Sequence, residues 1–331
     1  MRFGLFTTFV IAVLLPVVVG AQSLGDLGGI GSSFTLSAAP QYPTPYSKAT
    51  LSFLSSSLDL INATVTVTAN GKRIYKGSVQ PVAVTLGRGG SVVNVTATIS
   101  SGGVNYSQTL SIQPQEVSLI AEPISSAPPL YPGKPLVPFE GSVRVVAVAN
   151  LKNASGASLE PTALAYSWTV DGVQIANSSG IGKEAIMVAS PLQYRERTVS
   201  VAVMSTDGSL IGGASLSLSP LEPSVQMYEN DPLLGILYDH ALSDRYTITG
   251  AESTLYAAPF SLPTTSGAPL IRWFLNGALA QTGSSITLRP TGSGEGSASL
   301  SLVASAGAYT TATANLSLSF GAKPGFNFFG L

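Results

Sequence analysis

Apolar and polar residues alternate along most of this chain with a period of two. In Val93-Asn94-Val95-Thr96-Ala97-Thr98-Ile99 the apolar positions Val93, Val95, Ala97 and Ile99 share one face, as in a half-buried β-strand. The same reading predicts strands at residues 49–53, 63–69, 82–86, 92–99 and 106–112. It predicts others at 143–148, 198–203 and 216–219, and again at 253–257, 286–288, 297–304 and 314–320. Gly87-Arg88-Gly89-Gly90 and Ser101-Gly102-Gly103 supply turns between them. Helical spacing shows only briefly, around residues 232–242. The pattern predicts an all-β chain.

Three of the predicted strands end alike. Thr64-Val65-Thr66-Val67-Thr68-Ala69-Asn70-Gly71 is echoed by Tyr166-Ser167-Trp168-Thr169-Val170-Asp171-Gly172 and by Ile271-Arg272-Trp273-Phe274-Leu275-Asn276-Gly277. Asn-Gly and Asp-Gly after a β-rich run are strong hairpin signals. The copies recur about every 100 residues, the length of one small β-sandwich. Each block also closes alike, on Leu110-Ser111-Ile112, Leu216-Ser217-Leu218-Ser219 and Leu316-Ser317-Leu318-Ser319. The repeat predicts three tandem immunoglobulin-like β-sandwich domains, at residues 34–115, 116–220 and 221–320. The second contains a Pro-rich stretch, residues 123–138, suited only to an edge or a loop.

The N-terminus adds a compartment. Arg2 precedes an apolar run from Leu5 to Val19, and Val19-Gly20-Ala21 offers small residues for cleavage. Residues 1–21 read as a signal peptide cut after Ala21. The alternative is an uncleaved anchor, which would then be the chain's contact with a membrane. Residues 22–33 form a Gly-rich linker. The chain has no cysteine, which excludes disulfides, a lipid-bearing cysteine and thiolate metal sites. Only 10% of residues are charged and the net charge is −1. Nucleic-acid binding needs clustered Lys and Arg, so no nucleic-acid partner is expected.

Tyr166-Ser167-Trp168 followed by Asp171-Gly172, and Trp273 before Asn276-Gly277, resemble the third strand of immunoglobulin-like and PKD-like sandwiches. The first block carries Val67 at the Trp position. The resemblance implies that Trp168 and Trp273 pack across the core between two sheets. The alternative for both rings is an exposed stacking platform. The chain as a whole resembles exported surface proteins of candidate-phylum bacteria. That resemblance implies adhesins, stalks or spacer modules and no enzyme.

Candidate chemistry is sparse. His240 is the single histidine, and Asp231, Asp239 and Asp244 lie near it in sequence, but no nucleophile motif accompanies it. Glu229, Asp231, Asp239 and Asp244 could supply oxygens to calcium, although no Asp-x-Asp-x-Asp-Gly loop is present. No catalytic residue, cofactor or metal is assigned. Tyr42, Tyr46, Tyr131 and Tyr228 fall in Pro-rich or loop segments and read as surface aromatics. Six Asn-x-Ser/Thr sequons stand at Asn62, Asn94, Asn105, Asn153, Asn177 and Asn315. The tail, residues 321–331, carries Phe326, Phe328 and Phe329, which would either dock on the third domain or contact a partner. The expected function is adhesion, display or spacing at the cell surface, with a surface protein or glycan as partner. The alternatives are a component of a surface appendage or envelope layer, and a carbohydrate-binding accessory module.

Overall fold

The alternation of the sequence becomes an alternation of burial. Along Val93–Ser101, Val93, Val95, Ala97 and Ile99 are buried, while Asn94, Thr96 and Thr98 face outward. The computed structural model describes residues 34–291 and 294–321. The predicted signal peptide, the Gly-rich linker and residues 322–331 of the tail lie outside the described residues.

The first sandwich contains β1 (Thr35–Ala39), β2 (Lys48–Leu54), β3 (Thr64–Ala69), β4 (Lys72–Ser78), β5 (Val82–Thr85), β6 (Val93–Ser101) and β7 (Val104–Ile112). Its sheets have the orders β1-β2-β5 and β4-β3-β6-β7. The second contains β8 (Glu116–Pro123), β9 (Ser142–Asn150), β10 (Ala165–Val170), β11 (Val173–Gln174), β12 (Gly180–Ile181), β13 (Ala185–Ala189), β14 (Arg197–Met204) and β15 (Ile211–Leu218). Its sheets run β13-β9-β8 and β11-β10-β14-β15, with β12 also on β10.

The third contains β16 (Ser224–Asp231), β17 (Gly235–Ile236), β18 (Asp244–Ile248), β19 (Ser253–Phe260), β20 (Leu270–Leu275), β21 (Ala278–Thr282), β22 (Ser285–Leu288), β23 (Gly296–Ala306) and β24 (Thr310–Phe320). Its sheets run β17-β16-β19-β22 and β18-β24-β23-β20-β21. There β18 runs parallel to β24, whereas the other strand pairings are antiparallel. All three share the strand order of immunoglobulin-like sandwiches. Residues 232–242, where helical spacing surfaces in the sequence, form turns and β17. Among the described residues no helix is long and apolar enough to cross a membrane.

The echoed turns show why their residues recur. Asn70, Asp171 and Asn276 each take φ +49°, and Gly71, Gly172 and Gly277 take φ +79°, +81° and +83°. Two successive positive φ values make a type I′ turn, which few residues besides Asn, Asp and Gly adopt cheaply. Each Asn or Asp also reaches sideways. The side-chain oxygens accept the N–H of Asn94 at 2.8 Å, Thr198 at 2.9 Å and Ser299 at 2.9 Å. Their own N–H groups donate to the carbonyls of the same three residues. Each turn residue therefore extends the pairing of β3, β10 or β20 onto β6, β14 or β23.

Behind the turns lie three separate apolar clusters. Trp168 and Trp273 are wholly buried in the second and third. Their indole N–H groups donate to the carbonyls of Lys183 at 2.7 Å and Gly283 at 2.9 Å, which satisfies the one polar atom of each ring. Val67 holds the corresponding place in the first cluster and is also wholly buried.

Candidate functional site at the sandwich junctions

Phe326, Phe328 and Phe329 lie outside the described residues. His240 is exposed. Among the described residues no group of three or more His, Asp or Glu side chains gathers to hold a metal ion. Asp231 instead caps its own turn. Its Oδ1 accepts the N–H groups of Leu234 and Leu233, both at 2.8 Å, which holds the carboxyl below its usual range. All six sequon asparagines are exposed.

The four tyrosines separate. Tyr46 is exposed, and Tyr131 sets its ring edge-on to Phe260 at 5.5 Å. Tyr228 corrects the sequence reading: it lies in β16 and is buried. It points away from the core that Val225 and Met227 face. Tyr238, following β17, covers that side with ring centroids 5.1 Å apart. The Tyr228 hydroxyl donates to Gln226 at 2.6 Å.

Tyr42 takes part in joining the first sandwich to the second. Its ring lies against Gly213 on β15, where a Cβ would overlap the ring. Burial raises the Tyr42 phenol above its ordinary pKa. Nearby, the buried Gln115 fastens the linker. Its Nε2 donates to the Lys152 carbonyl at 2.9 Å, its Oε1 accepts the Lys152 N–H at 2.7 Å, and its own N–H donates to Pro43 at 3.1 Å. Gly90, at φ +79°, brings its loop so close to Lys152 and Asn153 that a side chain would overlap their carbonyl oxygens. Arg88 adds a bond to the Ala154 carbonyl at 3.3 Å.

The second and third sandwiches meet through main chain. Ser126, just beyond β8, donates its N–H to Leu262 at 2.7 Å and accepts the N–H of Ser261 at 3.1 Å. Thr264 donates to Ile124 at 3.1 Å, and Ser125 bridges Pro263. Side chains complete the seam. The Ser126 hydroxyl accepts the Leu262 N–H at 3.1 Å, and the wholly buried Ser261 donates to Leu221 at 3.0 Å and Val137 at 3.2 Å. Glu140 Oε2 accepts from Thr310 at 2.8 Å and from the Tyr309 N–H at 3.3 Å.

Two of the clefts at these junctions differ in chemistry. Residues 40–42 overhang the outer face of β10, β14 and β15 to form a groove of about 640 Å³. No charged residue lines it; Ser167, Thr169, Ser200, Ser215, Gln41, Gln174 and Tyr42 supply its polar side chains. The cleft between the second and third sandwiches, about 450 Å³, is flanked by Glu140, Glu222, Leu192 and the exposed Tyr309.

No protein-family model matches the chain, and no curated protein matches it. Solved structures of tandem sandwiches resemble it distantly. The three N-terminal domains of the bacteriophage RB49 highly immunogenic outer capsid protein are 13% identical, covering 88% of this chain and 99% of that one, with TM-score 0.24. Sidekick-1 immunoglobulin domains 1–5 are 14% identical, covering 84% and 56%, with TM-score 0.30. The central fibronectin-III array of RIM-binding protein is 9% identical, covering 87% and 96%, with TM-score 0.28. The fold rests on the strand orders given above, and these scores carry no argument about activity or partner.

Proposed function

We propose that this chain is an exported, non-enzymatic surface protein whose three domains, at residues 34–115, 116–220 and 221–320, serve adhesion, display or spacing. The observation that carries the reading is the seam between the second and third sandwiches. Ser126, Ser261, Leu262 and Thr264 continue hydrogen bonding across it, so one sandwich sets the orientation of the next. A flexible tether would leave those groups to water. A spacer or display stem needs each unit oriented by its neighbour, and main-chain pairing achieves this independently of surface charge, which is scarce here.

The reading is tested by fractionating native cells, sequencing the mature N-terminus and treating intact cells with protease. A chain beginning at Gln22, cell-associated and cut by external protease, is the expected result. A chain retained in the cytoplasm and protected from protease would overturn it.

A further inference from the structure

We propose that the groove beneath Tyr42 binds a neutral oligosaccharide. This goes beyond the display reading and stands on different residues. At about 640 Å³ the groove falls within the range of small-ligand clefts, about 300–1,000 Å³. The chemistry of its walls narrows the occupant. An ion entering it would lose hydration without meeting an opposite charge, because no lining residue is charged. A wholly apolar ligand would strand the hydroxyls and amides of the floor. A polyhydroxylated neutral ring, with C–H faces and O–H edges, satisfies both kinds of surface.

The floor is partly ordered in advance. Ser200 and Ser215 on adjacent strands bond to each other at 2.9 Å, which uses one hydroxyl proton and one lone pair and leaves the second proton and the remaining lone pairs for a ligand. Gln174 donates to Ser167 at 3.1 Å, leaving its carbonyl and a second N–H for a ligand. Tyr42, half-buried against Gly213, provides an aromatic wall whose position is set before a ligand arrives. Preset side chains reduce the ordering cost of binding. Two other clefts are charged, one lined by Arg88, Glu116 and Lys152 and one by Glu140 and Glu222; a third, lined by Ser125, Ser126, Thr264 and Ser284, is uncharged but smaller, at about 460 Å³.

The test titrates the full mature chain with cellohexaose, maltohexaose, xylohexaose and chitohexaose, followed calorimetrically. At least one is expected to bind. Tyr42→Ala should weaken that binding about tenfold through loss of the aromatic wall. Ser200→Trp, on the outer sheet face, should abolish it by filling the groove. Tyr46→Ala, in the same loop but outside this groove, should bind as wild type. No binding of any of the four at millimolar concentration would overturn the proposal. So would wild-type affinity in both Tyr42→Ala and Ser200→Trp, and so would binding only to a Ser/Thr-rich peptide offered in parallel. None of these outcomes alters the result of protease treatment of intact cells.

Discussion

Replacing Ser126 by alanine tests whether the third sandwich depends on a residue that the sequence places in the second. Ser126→Ala keeps both main-chain bonds to Ser261 and Leu262 but removes the hydroxyl that accepts the Leu262 N–H at 3.1 Å. Leu262 is wholly buried, so water cannot replace that acceptor. A buried donor left unpaired costs about 1–3 kcal/mol. The contact breaks whenever the third sandwich unfolds, so the cost appears as lost stability of that unit. Native-state hydrogen exchange on the full chain reads it directly. Amides of β23, deep in the third sandwich, should exchange about 5- to 150-fold faster, the equivalent of 1–3 kcal/mol. Amides of β6 in the first sandwich should not change. Exchange in β23 within about twofold of wild type would refute the reasoning, since that is under about 0.5 kcal/mol. The seam would then be a contact between independently stable units.

Three other outcomes are expected. Trp168→Phe leaves the Lys183 carbonyl without its indole donor and should lower the stability of the second sandwich by about 1–3 kcal/mol in urea denaturation. Asp171→Ala forces alanine into a left-handed turn position and removes the acceptor for Thr198 N–H; the loss should be about 2–3 kcal/mol by thermal melting. Asp171→Asn keeps the turn and gives up only the half-exposed pairing with Arg197, so it should stay within about 1 kcal/mol. The Asp207 carboxyl is held down to about 2, from an ordinary 3.8, first by the Ser205 hydroxyl and then by the Ser209 N–H and hydroxyl. A depressed carboxyl stabilises the fold above its unfolded pKa and loses that contribution as pH falls through the folded value. Protection of the β14–β15 turn should therefore fade as pH drops from 3.8 to about 2, and Asp207→Asn should flatten that slope.

The features legible in the sequence are those decided within a few residues. Asn70-Gly71, Asp171-Gly172 and Asn276-Gly277 announce their turns because few other pairs tolerate two positive φ values. The alternation in β6 announces its inner face because a strand has a period of two. The junction residues carried no such signal. Gln115 and Ser261 are buried polar residues whose partners lie 37 and 124 positions away in sequence. In a chain rich in serine, Ser126 and Ser261 look like surface. Gly213 reads as a weak strand position until Tyr42 is found against it. Tyr228 misleads differently: its segment reads as a loop, whereas it lies in β16 and Tyr238, ten residues on, packs on its outward side.

The groove and the first junction are one structure seen from two sides. Its overhang, residues 40–42, belongs to the first sandwich, and its floor to the outer face of the second. A ligand in it touches both, so its binding energy depends on the angle between them. By linkage, a ligand that favours one angle must raise the population of that angle. The second junction is fastened by main-chain bonds among Ile124, Ser126, Ser261, Leu262 and Thr264. The first is fastened chiefly by the Gln115 carboxamide, Gly90 and the Tyr42 ring, a smaller set of contacts around one linker. Binding at the first junction and rigidity at the second are therefore compatible tasks for one chain. The second sandwich supplies the floor, and the first, held to it by Gln115 and the Tyr42 ring, supplies the overhang.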